Sequence, residues 1–116
     1  MGAQVQGGAR LSVTDLRRAT RHPVDYPVVA DHRIHGDLPM RLCNISANGF
    51  MAQSDVVLDR GERLTVRLPE IGRIEAHVIW SADRRAGCQL ERVIPPDRFA
   101  EMLSQMRPRA RIRPRE

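Results

Sequence analysis

Cys43-Asn44-Ile45-Ser46-Ala47-Asn48-Gly49-Phe50 is the stretch that decides how the chain folds. Before it, Leu38 to Ser46 is rich in apolar and β-tolerant residues, and after it Phe50-Met51-Ala52 resumes an apolar run. Asn48-Gly49 between two such runs predicts a hairpin, because both residues tolerate positive φ and a primed turn matches the twist of paired strands. Successive strand residues face opposite sides, so Asn44 and Ser46 are expected to share one face as the chain enters the turn. With Gly49 they spell Asn-x-Ser-x-x-Gly. A hairpin alone asks for none of the polar pair.

Working outward, the same alternation recurs. Tyr26 to Ile34 is the first strand expected, centred on Val28 and Val29, and His35-Gly36-Asp37 is its turn. Leu38 to Ser46 and Phe50 to Ser54 form the hairpin. Arg63 to Leu68 places Leu64, Val66 and Leu68 on one face, and Arg73 to Trp80 places Ile74, Ala76, Val78 and Trp80 on one face. Trp80 is accordingly read as core, the alternative being a place at the edge of a ligand-binding surface. Gly87 to Val93 is the last strand expected. The period then changes: Pro95-Pro96-Asp97 opens a helix, proline being tolerated in a first turn. Phe99, Met102, Leu103 and Met106 form one apolar stripe on it, and Pro108 ends it. The pattern predicts an all-β fold, a six-stranded antiparallel β-barrel with a C-terminal α-helix on its side or end.

The length of 116 residues suits a single domain with a core of its own. Residues 1–14 read as a disordered arm, 15–106 as the barrel domain with its preceding linker and helix, and 107–116 as a disordered basic tail. No apolar run is long enough to span a membrane. The polar, Gly-rich start lacks the apolar centre of a secretion signal, so a cytoplasmic location is expected. Cys43 and Cys88, in apolar strand contexts, are expected to be buried thiols rather than a disulfide.

The net charge of +5 is misleading. Every basic residue is Arg, and the tail from Arg107 to Glu116 holds five of them against one acid, a local charge of +4. The rest of the chain is left at +1. Overall basicity therefore says little about what the barrel binds.

Arg17, Arg18 and Arg21 lie just before the first strand, on a stretch broken by Pro23 and Pro27. They read either as a solvated basic linker or as an anion clamp. Guanidinium forks grip phosphate bidentately and also match the O6 and N7 acceptors of guanine.

Arg17-x-x-x-Arg21, Pro23, a strand, and then Asn44-x-Ser46-x-x-Gly49 resemble the PilZ domain family. Val78-Ile79-Trp80 and Gly87-Cys88-Gln89-Leu90, around a polar turn, resemble that family's closing hairpin. The resemblance covers about residues 15–106. It implies a six-stranded barrel that acts as a receptor for cyclic di-GMP, a bacterial second messenger, with no catalytic activity and no cofactor. By resemblance, Arg17 and Arg21 grip the phosphates and guanine edges, with Arg18 as a helper. Asn44 and Ser46 hydrogen-bond a guanine or phosphate, and Gly49 lets the backbone come close to the ligand. Where the family more often has Asp, Asn44 offers guanine N1 and N2 a neutral acceptor, which predicts weaker binding. An unidentified protein partner, and control of motility, exopolysaccharide or biofilm, follow by resemblance only.

Other chemistries find little in the sequence. His22, His32, His35 and His77 lack the clustered spacing of a metal site, and no nucleophile motif occurs. Asp55, Asp59 and Glu62 read as loop solvation. Two rivals remain: a PilZ-fold interaction module that binds no nucleotide, and a small barrel binding nucleic acid through its Arg tail. The low aromatic content of 3% argues against a stacking platform for single strands.

Overall fold

Alternating apolar residues close into a ring. The computed structural model describes residues 20–106, so the expected arm (1–14) and basic tail (107–116) lie outside the described residues. The strands are β1 (His22–His32), β2 (Gly36–Ile45), β3 (Gly49–Gln53), β4 (Arg63–Leu68), β5 (Gly72–Ala82) and β6 (Arg85–Leu90), followed by helix α1 (Pro96–Met106). They form a closed barrel in the order β1-β2-β3-β6-β5-β4, every pair antiparallel. The six-stranded barrel with a C-terminal helix is as the sequence predicts.

The inward rows meet in one core. Leu42, Ile45, Phe50, Leu64, Val66, Ile74, Val78 and Leu90 are almost wholly buried. Met102, Leu103 and Met106 of α1 join them, and Phe99 is half-buried on the rim, its ring 5.5 Å from that of His22. The helix packs at the end of the barrel where β1 begins and the β2–β3 and β4–β5 turns lie. Ile94 N donates to Ala47 O at 3.0 Å just before it. Arg98 and Gln105 reach Glu70 in the β4–β5 turn.

Several boundaries and facings differ from expectation, each for a physical reason. β1 starts at His22, not Tyr26, and includes Pro23 and Pro27. It pairs with β4 only at Ala30–Val66, Asp31–Thr65 and His32–Leu64, so its first half has an open side where a missing N–H costs little. β6 runs Arg85–Leu90 rather than to Val93, because its pairing with β3 ends at Gly49–Gln89. A register shift in β5 between Val78 and Trp80 reverses the facing. Trp80 is therefore 41% exposed and is not core. Cys88 is buried as expected, Cys43 only partly, and both are free thiols.

The primed turn also sits elsewhere. Positive φ occurs at Asp83 (54°) and Arg84 (64°), in the two-residue turn between β5 and β6. Asn48 and Gly49 are not among the residues with positive φ. Their turn is held instead by Ser46 N donating to Gly49 O at 2.8 Å.

Glu62 does more than solvate a loop. His32 is buried, and its Nδ1 accepts from the backbone N–H groups of Ile34 (3.1 Å) and His35 (3.2 Å). The ring proton is thus on Nε2, which donates to Glu62 Oε1. Glu62 Oε2 accepts from Asp59 N at 2.8 Å. The bond from His32 holds the Glu62 carboxyl below its ordinary range.

Candidate functional site

A second irregularity builds the site. β2 turns Leu38, Met40 and Leu42 inward. A register shift between Leu42 and Asn44 then inserts Cys43 as an extra residue against β3. Ile45 takes the next inward place, and Asn44 is left half-exposed. Without the bulge, strict alternation would have sent Asn44 into the core.

Arg21, exposed just ahead of β1, reaches this position. Its Nη1 donates to Asn44 Oδ1 at 3.0 Å. Two residues far apart in sequence and assigned to one site by motif are thereby brought into contact. Next to them Arg41 of β2 pairs with Asp25 of β1, both exposed. Arg17 and Arg18 lie outside the described residues.

Ser46 and Gly49 are placed differently. Ser46 is 2% exposed and lies just past the end of β2, so it does not share a strand face with Asn44. Its hydroxyl accepts from Asn48 N and Gly49 N, each at 3.2 Å, and lies 3.3 Å from Gly49 O. The hydroxyl is thus occupied inside the turn. Gly49 is required by a close approach: a Cβ there would fall 2.3 Å from the carbonyl oxygen of Cys88. The neighbour that forbids a side chain is β6.

Cross-strand pairing extends the site around the barrel. Asn44 faces Met51, Met51 faces Gly87, and Gly87 faces Trp80. Three inter-strand steps of about 4.8 Å separate Asn44 from Trp80, roughly 14 Å. The indole lies against Gly87, where a Cβ would come 2.0 Å from Trp80 Nε1. Met51, Gln53, Trp80, Ala82, Asp83 and Arg85 line an open hollow of about 460 Å³ beside this row. Sequence reasoning favoured the core for Trp80 over the edge of a ligand surface, yet the glycine across from it was a usable signal, since glycine in a strand marks close approach of another group.

Among the described residues no three of His, Cys, Asp and Glu gather as a metal site, and no helix is long and apolar enough to cross a membrane.

This closed six-stranded antiparallel barrel, followed by a helix, matches the fold of a PilZ domain. Among solved structures the chain is similar to the PilZ domain of YcgR from Escherichia coli with c-di-GMP. The identity is 17%, the TM-score 0.53, and the match covers 78% of this chain and 88% of that one. At that identity the likeness is one of fold. No family model matches the chain, and no curated protein matches it.

Proposed function

We propose that the protein is a receptor for cyclic di-GMP that works by binding and not by catalysis. The observation that carries this reading is the contact between Arg21 and Asn44, which joins the arginine arm to the barrel surface at one point. The fold likeness to a domain solved with c-di-GMP supports it. In this reading the guanidinium groups of Arg17 and Arg21, helped by Arg18, hold the phosphates and guanine edges. Asn44 contacts the ligand directly. Ser46 and Gly49 act through the shape of the turn, because the Ser46 hydroxyl is already engaged there. The half-exposed Trp80 ring supplies a stacking face at the other end of the row.

The output is conformational. Charge-assisted bonds from Arg17 and Arg21 to phosphate change how the segment ahead of β1 is held, and a protein partner reads that change. The setting proposed is the bacterial cytoplasm, in control of motility, exopolysaccharide or biofilm.

Calorimetry with cyclic di-GMP, GTP and cyclic GMP tests the reading. Cyclic di-GMP is expected to bind at micromolar or better, about −8 kcal/mol, and the others much more weakly. No heat and no competition up to roughly 100 μM, where even a weak second-messenger site would register, overturns it. That result would favour a PilZ-fold interaction module. A steep fall of nucleic-acid binding with salt, abolished by deleting residues 107–116, would favour the Arg-tail reading.

A further inference from the structure

At the end of the barrel away from α1, the β1–β2 turn and the loop 54–62 wall an open hollow of about 650 Å³. Three arginines line it, Arg33, Arg60 and Arg63, against one acid, Glu62. That acid is committed elsewhere: its Oε1 accepts from His32 Nε2 and its Oε2 from Asp59 N. Arg63 is committed too, to Glu75 at 3.2 Å. Arg33 and Arg60 are exposed and have no hydrogen-bond or ion-pair partner among the described residues. Ile34, beside Arg33 in the same lining, is 79% exposed. The loop that carries Arg60 is pinned to the barrel. Gly61 N donates to Val78 O at 2.7 Å, and Val78 N donates to Glu62 O at 2.9 Å. The backbone of this wall is thus set in advance, which lowers the cost of binding there.

We propose that this hollow docks an acidic segment of a protein partner, its carboxylates meeting Arg33 and Arg60 and an apolar side chain covering Ile34. Guanidinium forks match carboxylates in plane and in charge. A hollow of this size admits several side chains, where a lone phosphate would fill a small part of it. No Phe, Tyr or Trp lines it, so a nucleic-acid single strand would find no stacking face. The chain's own residues 107–116 carry +4, the wrong sign to fill it. The surface lies at the opposite end of β1 from Arg21, and the inference does not rest on the reading of the protein as a nucleotide receptor.

The test titrates the full-length protein into a fluorescein-labelled peptide of repeated Glu-Glu-Leu at low ionic strength and follows fluorescence anisotropy. A Glu-Glu-Ser repeat is the peptide without the apolar contact, and it is expected to bind about threefold more weakly or worse. Arg33→Glu with Arg60→Glu is expected to weaken the Glu-Glu-Leu peptide by at least about tenfold. Arg92→Glu with Arg98→Glu makes the same change in net charge near α1 and should alter binding by less than about threefold. Deleting residues 107–116 should also stay within about threefold, which separates the hollow from the basic tail. Arg33→Gln with Arg60→Gln, a milder change at two exposed positions, should weaken binding in the same direction as the reversal. The inference is overturned if the unaltered protein does not bind the Glu-Glu-Leu peptide, if both paired reversals weaken it equally, or if binding is lost with the tail. Cyclic di-GMP binding, measured separately by calorimetry, bears on the receptor reading and not on this surface.

Discussion

The Arg21 guanidinium meets the Asn44 amide at 3.0 Å across 23 residues of sequence, with both groups at the surface of the barrel. An exposed contact of this kind adds little to folding, whereas a charged contact to a bound phosphate is worth far more. Arg21→Ala is therefore expected to lower cyclic di-GMP affinity by at least about 2 kcal/mol. Its effect on stability should stay within about 0.5 kcal/mol. Calorimetry and thermal melting check the pair of values; a large fall in melting temperature with affinity intact would make the contact purely structural.

Ser46→Ala has the reverse signature. The hydroxyl satisfies two buried backbone N–H groups in the β2–β3 turn, and alanine leaves them without it. A loss of roughly 1–3 kcal/mol of stability is expected in urea unfolding. Any loss of ligand affinity should follow from the altered turn. Unchanged stability would show that water replaces the hydroxyl and that the turn does not depend on it.

Gly49→Ala is expected to be worse. The added Cβ would lie 2.3 Å from a backbone oxygen of β6, which cannot swing aside as a side-chain tip does. Relief requires parting β3 from β6, at a cost of about 3 kcal/mol, the upper end for overpacking. Urea denaturation measures it, and a change below about 1 kcal/mol would contradict so close an approach.

Gly87→Ala displaces a flexible group instead. Its Cβ would enter the space of the Trp80 indole, the chain's single tryptophan. The ring is already partly exposed and free to move outward. Intrinsic fluorescence is expected to shift to the red with the barrel's strand signal unchanged. Unshifted emission would mean that the ring does not rest on Gly87.

The acid limb of stability should depend on Glu62. Its carboxyl is held below the ordinary value of 4.5, first by the bond from His32. A carboxyl whose folded value is depressed contributes stability that is present above the unfolded value and lost as pH falls through the folded one. Unfolding free energy should thus decline as pH drops below about 4.5, and Glu62→Gln should flatten that decline. A denaturation series from pH 7 to 3 checks it. Equal slopes in both proteins would remove Glu62 from the account.

What the sequence made legible was periodicity. Leu64-x-Val66-x-Leu68 and Ile74-x-Ala76-x-Val78 lie buried on one face as alternation requires, and the stripe from Met102 to Met106 closes an end of the barrel. What it hid was every break in periodicity. The bulges at Cys43 and Ile79 move Asn44 and Trp80 outward, and nothing local in sequence announces a bulge there. Pro23 and Pro27 looked like strand breakers because the open side of β1 is a tertiary fact. His32 and Glu62, 30 residues apart, pair only once the barrel is closed. At the site, the motif named Asn44 and Arg21 together. That Ser46 and Gly49 serve the turn emerges only from their burial and from the carbonyl of Cys88.

The ring is laced unevenly. β1 meets β2 at nine residue pairs and β4 at three, so closure of the barrel is completed at a short seam. Asp31, on the β1 side, clasps that seam by ion pairs to Arg67 of β4 (3.1 Å) and Arg73 of β5 (2.6 Å). Each pair is partly in water and open to screening. Ionic strength is thus a lever on how firmly the cylinder is shut. The half of β1 that follows Arg21 is fastened along one side only. A pull on Arg21 is therefore borne by the β2 hairpin, the same strand that carries Asn44.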